Sequence, residues 1–135
     1  MATLKLEIVT PEAKTYSEDV DMVTIPGVDG EMGVFPMHIP LVSQVVAGEV
    51  AVRKNGQDFF LAIGDGFVEI TASRVAILTD MAIKADDIDE VKAEEARKRA
   101  EERLSEKISD EEAAMVSAAL AHSLAQLGVK RRHRG

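Results

Sequence analysis

Ile25-Pro26-Gly27-Val28-Asp29-Gly30-Glu31-Met32-Gly33-Val34-Phe35-Pro36-Met37-His38-Ile39-Pro40-Leu41 is the stretch that decides how the rest of the chain can fold. Three glycines and three prolines fall within its 17 positions, with apolar runs on either side. Glycine admits positive φ and close backbone approach, whereas proline fixes φ and withdraws an amide donor. The stretch therefore turns repeatedly at a sheet edge or corner and is neither a long strand nor a helix. Its turns present Asp29, Glu31 and His38 on a stiffened backbone. The glycine spacing alone would also suit a phosphate cradle. No helical pattern follows to supply an N-terminal dipole, so the turn reading stands.

On both sides of this stretch the pattern is that of strands. Leu4, Leu6 and Ile8 alternate with Lys5 and Glu7 before Thr10-Pro11 breaks the run. Val20 and Met22 alternate with Asp19 and Asp21, and Val23-Thr24-Ile25 leads into the turns. Beyond Leu41, Val42, Val45 and Val46 form a short apolar run that Gly48 ends. Val50 and Val52 alternate up to Asn55-Gly56, the strongest short hairpin signal, with Phe59–Ile63 as the return strand. Gly64-Asp65-Gly66 turns the chain into Phe67–Ile70, and Val75–Leu78 follows. Short strands with frequent turn signals predict an all-β flattened sandwich or barrel over residues 1–85.

The period changes at Asp86-Asp87. Asp87 can cap a helix, with Glu90 three residues on as its capping-box partner. Ala, Glu, Arg and Lys then dominate to Lys107, and Ala93, Ala96, Ala100 and Leu104 share one face. Glu94–Lys98 and Glu95–Arg99 are favourable i,i+4 pairs, each worth about 0.2–0.5 kcal/mol. Ser109-x-x-Glu112 is a second capping box. The helix it opens carries the stripe Ala113, Val116, Leu120, Leu124 and Leu127, and Gly128 stands where a C-terminal cap belongs. The short connection makes the helices antiparallel neighbours over residues 86–135. The expected architecture is α+β, a sandwich followed by a helical hairpin. Alanine on the first helix buries little area, at ~25 cal/mol/Å², so the hairpin should open or redock easily.

Composition narrows the functions. The chain has 135 residues and no cysteine, which excludes disulfides and thiolate metal sites. The N-terminus lacks the basic and apolar regions of a secretory signal, and no apolar run approaches the roughly 18 residues of a membrane helix. Net charge is -8, with 6 basic and 12 acidic residues up to Ala85 and 10 basic and 12 acidic after it. An acidic body argues against nucleic-acid binding. Four of the later basic residues, Lys130, Arg131, Arg132 and Arg134, form a cationic tail beyond Gly128. His38, His122 and His133 have no metal-ligand spacing, and a Ser43–His38–Asp29 triad would lack a nucleophile elbow and an oxyanion hole. No metal, cofactor or catalytic residue is expected. The chain binds or couples.

Gly30-Glu31-x-Gly33-x-x-Pro36-x-His38-x-Pro40-Leu41 resembles the G-E-x-G-x-x-P-x-H-x-P-L signature of the epsilon subunit of rotary proton-translocating ATP synthases, the counterpart of the mitochondrial delta subunit. The likeness runs on through Gly64-Asp65-Gly66-Phe67-Val68-Glu69 into the alanine-rich C-terminal third. It implies a non-catalytic rotor subunit. Its sandwich would seat against the gamma shaft and the c subunits of the membrane ring, on the cytoplasmic face of the plasma membrane. Its hairpin would fold on the sandwich or extend into the alpha/beta catalytic head and restrain ATP hydrolysis. Glu31 and His38 match the positions that would meet ring and shaft. In the extended state the tail cations would hold acidic loops of the head, while Leu120, Leu124 and Leu127 make apolar contacts.

Some members of that family bind ATP through an I/L-D-x-x-R-A motif on the folded hairpin. Here the segment is Ile88-Asp89-Glu90-Val91-Lys92-Ala93, with lysine at the arginine position. Lysine lacks the planar fork that grips phosphate bidentately, so ATP binding is not expected and Ile88 and Asp89 are left to start the helix. Two rival readings remain from the residues alone. One is a freestanding β-sandwich recognition module with a helical dimerisation arm; the other is a small hydrolase using His38.

Overall fold

The structure, a computed structural model, describes residues 2–133. Period-2 alternation becomes ten strands: β1 Leu4–Val9, β2 Lys14–Val20, β3 Met22–Gly27, β4 Gly30–Val34, β5 Leu41–Val45, β6 Gly48–Lys54, β7 Gln57–Ile63, β8 Gly66–Ile70, β9 Arg74–Thr79 and β10 Ala82–Lys84. A 3-10 turn, Ala85–Asp87, leads to α1 Glu90–Leu104 and α2 Asp110–Arg132. The strands run β10-β7-β6-β3-β5-β8-β9-β1-β2, with β4 bonded to β3 off this path. Only β1 and β9 pair in parallel among these neighbours. The result is the expected sandwich, nearly closed into a flattened barrel, with the helical hairpin after it.

Register puts the apolar parity inside. Leu4, Leu6, Ile8, Val50, Val52, Leu61, Ile63, Val68, Ile70, Val75 and Ile77 are all buried in one core with Val23, Ile25 and Val45. Each such side chain contributes about 1.5–3 kcal/mol relative to exposure, so Leu6→Ala would cost roughly 2–5 kcal/mol once the cavity is included. The β6–β7 turn matches its dipeptide: Lys54 pairs with Gln57, and Asn55 and Gly56 both take positive φ, 54° and 76°. The opening stretch likewise becomes the β3–β4 hairpin and an irregular segment, where Met37 also has positive φ.

Four features of the helices differ from the sequence reading. The α1 cap is Asp89, whose carboxylate accepts the Lys92 N–H at 3.1 Å, and not Asp87. The reason is Ile88. It is buried with Ala62 and Val129, and its extended backbone holds off the helix until the next residues. α2 does not end at Gly128 but runs on to Arg132, because its last turn is tied down by the contacts described below. Leu124 faces solvent, whereas Leu127 of the same stripe is buried as expected and Ser123 is buried beside it. At 100° per residue Leu124 lies at the rim of the stripe. Finally, Glu94 pairs with Arg97 and not Lys98, since the Arg97 guanidinium spans both Glu94 and Glu101. Ser109 caps α2 as read, accepting from Glu112 N at 3.1 Å.

Candidate interaction surfaces

The strands that bury one parity also set out the other. Across β5, β8 and β9, Gln44 pairs with Phe67 and Phe67 with Leu78; the next row of that parity is Val42, Glu69 and Ala76, of which Ala76 is buried. Phe67, Leu78 and Val42 are 59%, 54% and 68% exposed. Phe35, Met37 and Ile39 add further exposed apolar side chains in the irregular segment, which is fastened to the β8–β9 turn by the Met37 N–H to Ala72 O bond of 2.7 Å. Scattered apolar residues on a surface need no explanation, but a contiguous set on one sheet face marks a contact surface.

Glu31 is exposed on β4 opposite Pro26, next to the β3–β4 turn. His38 lies past the other end of the same strand, half-buried, with Nδ1 2.6 Å from Ile39 O. No hydrogen bond or ion pair among the described residues joins the two. Ser43 Oγ donates to Gln44 O at 3.5 Å and His38 turns to Ile39, so no triad with Asp29 is assembled. Among the described residues no group of three His, Asp or Glu is placed to hold a metal.

The other outer face, on β6, β7 and β10, is covered by α2. Ala62 pairs with Glu49 on one side and Ile83 on the other, and with Ile88 and Val129 it forms a small apolar cluster. Above it, His122 of α2 brings Nε2 to 3.0 Å from Asp80 Oδ1. That nitrogen is buried without a well-aligned hydrogen bond. Gly64 makes room for the pair: a Cβ there would lie 1.9 Å from Asp80 Oδ1 and 2.8 Å from His122 Nε2. Asp65 beside it accepts from Ala47 N at 2.9 Å and so fixes the same turn.

The remaining singled-out residues belong to this docked hairpin. Ile88 and Ala93 are packing residues, Asp89 is the cap, and Lys92 is exposed. The basic residues 130–132 are on the last turn of α2 and not in a free tail; Arg134 lies outside the described residues. Lys130 Nζ donates to Ala85 O at 3.2 Å, and Arg131 reaches Glu90 and Glu94 of α1 at 3.1 and 3.0 Å. Arg132 Nε and His133 Nε2 converge on Glu49 Oε1 at 3.1 and 2.7 Å, and the His133 ring stacks on Phe60 with centroids 3.5 Å apart. The hydrogen bond from Arg97, reinforced by Arg131, holds the Glu94 carboxyl down to about 2.

A crevice of about 630 Å³ lies where the unpaired edges of β2 and β10 face each other, lined by Tyr16, Glu18, Lys54, Phe60, Lys84 and His133 among others. Two of its cations have partners within it. Lys54 Nζ sits 3.0 Å from Glu18, and Lys84 lies over the Tyr16 ring at 5.9 Å. Burial, helped by Glu18, pushes the Tyr16 phenol well above its ordinary range.

A nearly closed ten-stranded sandwich carrying a docked helical hairpin defines a two-part, sandwich-plus-hairpin subunit. Residues 3–85 match the family model described as ATP synthase, Delta/Epsilon chain, beta-sandwich domain, and residues 86–131 match ATP synthase, Delta/Epsilon chain, long alpha-helix domain. The chain belongs to the epsilon-chain family of ATP synthase. The ATP synthase epsilon chain of Desulforamulus reducens is 44% identical over 108 residues, covering 80% of this chain and 82% of that one. That of Herpetosiphon aurantiacus is 42% identical over 131 residues, covering 97% and 96%. In the Euglena gracilis mitochondrial ATP synthase, an OSCP/F1/c-ring assembly in rotational state 1, one chain superposes with a TM-score of 0.75 at 25% identity, over 93% of this chain and 79% of that one. The relatives are ATP synthase subunits, and no helix among the described residues is long and apolar enough to cross a membrane.

Proposed function

We propose that this chain is a non-catalytic rotor subunit that couples the gamma shaft to the membrane ring and restrains ATP hydrolysis through its hairpin. The observation that carries this reading is the exposed apolar face of β5, β8 and β9. Phe67, Leu78 and Val42 stand there uncovered while the hairpin occupies β6 and β7. A face of that kind suits a long helical shaft. Glu31 and His38, at opposite ends of β4, are then the polar groups offered to shaft and ring. The head's alpha and beta subunits become partners only when the hairpin extends. Attachment to the cytoplasmic face of the plasma membrane follows through the complex.

The same reading gives the hairpin no nucleotide. Lys92 is exposed and lacks a guanidinium fork, and Asp89 is engaged as a helix cap. The test of the main reading is co-expression with the gamma subunit of the same organism, followed by native mass spectrometry. A one-to-one complex is expected. A symmetric dimer of this chain that ignores gamma would replace the rotor reading with that of a freestanding recognition module.

A further inference from the structure

Four consecutive residues at the end of α2 reach three different parts of the protein. Arg131 leaves the helix toward α1 and takes Glu90 and Glu94. Arg132 and His133 leave toward the sandwich and share one oxygen of Glu49 on β6, while His133 stacks flat on Phe60 of β7, the planes 4° apart. Lys130 takes the carbonyl of Ala85 in the connector. The helix is shaped for this. A Cβ on Gly128 would meet Arg132 Nη1 at 3.1 Å, so the bare position lets the guanidinium turn back across the last turn.

The apolar part of the same interface is thin. Apart from the sandwich core it consists of Ala62, Ile88 and Val129, with Phe60, Met81, Ile83, Ala85 and Ala125 half-covered around them. With so little apolar area holding the hairpin down, the polar contacts decide a large share of the docking equilibrium. Arg132 is about half exposed, at 55%, whereas Glu49 is 23% exposed and sits against the sheet. The pairs are therefore open to screening by salt but anchored at the sandwich end.

We propose that Lys130–His133 is a latch that keeps the hairpin against the sandwich, with Glu49 as its anchor. The latch withholds the charges of Lys130, Arg131 and Arg132 from any partner while it is closed. Releasing the hairpin and freeing the charge are then one event, which a neighbouring acidic surface can draw forward and high salt can favour. The regulatory consequence rests on the rotor-subunit reading; the latch itself does not.

The test uses the full-length chain alone, with spin labels on Ser105→Cys and Gln57→Cys, there being no native cysteine. Pulsed dipolar spectroscopy then reports docked and undocked distances. Glu49→Gln should raise the undocked-to-docked ratio about three- to tenfold at 0.15 M salt, as expected for losing the ion pair with Arg132 and weakening the contact with His133. Arg132→Gln should do the same to a lesser degree, and the double variant should be no more open than Glu49→Gln, because both remove one interaction. Asp58→Asn, which loses only Arg53, is the control and should leave the distances unchanged. Raising salt to 1 M should open the parent and add little to Glu49→Gln. Unchanged distances in Glu49→Gln, or strictly additive variants, would overturn the latch. If Glu49→Gln opens the isolated chain yet the reconstituted head hydrolyses ATP as before, the latch stands and the regulatory reading fails.

Discussion

The guanidinium of Arg132 occupies the space that a side chain on Gly128 would need, with Nη1 3.1 Å from the position of its Cβ. Gly128 thus acts inside a helix and not as its cap. Gly128→Ala should gain about 0.5–1 kcal/mol of helix stability, because the only group in the way is the far end of a flexible side chain. Thermal unfolding should shift up by a few degrees, while hairpin docking becomes less sensitive to salt as Arg132 is pushed off Glu49. A fall in melting temperature would show that Arg132 cannot give way.

Gly64→Ala has the opposite sign. Its Cβ would overlap Asp80 Oδ1 at 1.9 Å and crowd His122 Nε2 at 2.8 Å, so the pair between α2 and the sandwich has to break or the turn has to shift. Overpacking of this kind costs about 1–3 kcal/mol, read from chemical denaturation. Amide exchange around His122 should quicken. Unchanged exchange there would mean the pair does not hold α2.

The contrast between these two glycines shows what was legible in the sequence. Alternation at Leu4, Leu6 and Ile8 and the turn at Asn55-Gly56 report local physics, so the sandwich could be read from them. Boundaries set by distant anchors could not be read. Ile88 delays α1 by packing on Ala62, and α2 outruns Gly128 because Glu49 receives residues 83 and 84 positions away. Glu49, Phe60 and Asp80 carry no local signal for their roles. Phe67 and Leu78 did carry one, since each is apolar next to an inward apolar neighbour and so breaks the alternation. An apolar residue at an outward position also suits a strand buried on both faces, so the pattern alone does not mark an open surface.

Phe67 is the centre of the open face and, at 59% exposed, contributes little to the core. Phe67→Glu should leave the unfolding free energy within about 0.5 kcal/mol of the parent. Affinity for isolated gamma subunit should fall at least tenfold, about 1.4 kcal/mol, as for a buried aromatic at an interface centre. Equal binding by Phe67→Glu and the parent in a titration would move the shaft contact elsewhere on the sandwich.

Nucleotide should have no effect on the folded hairpin. Titration calorimetry with ATP is expected to show no micromolar binding for the parent, because Lys92 offers a point charge and Asp89 is already engaged with the helix amide. Lys92→Arg is expected to behave in the same way, since His122 is held by Asp80 and Arg131 by Glu90 and Glu94. Binding by Lys92→Arg alone would show that a single guanidinium was all the site lacked.

Glu94 joins the two helices and gives the hairpin a defined response to acid. The hydrogen bond from Arg97, then its charge and the contact from Arg131, hold the carboxyl at about 2 against an ordinary 4.5. A carboxyl depressed by folding stabilises the closed form fully above its unfolded value and loses that contribution as pH falls through its folded value. The link between α1 and α2 should therefore be intact down to about pH 4.5 and weaken from there toward pH 2. Carboxyl-detected NMR of the isolated chain should place the Glu94 midpoint near 2. Arg97→Gln should raise that midpoint more than Arg131→Gln, because Arg97 supplies the larger share. A midpoint in the ordinary carboxylate range, insensitive to both variants, would mean that the Arg97–Glu94–Arg131 bridge is not maintained in solution.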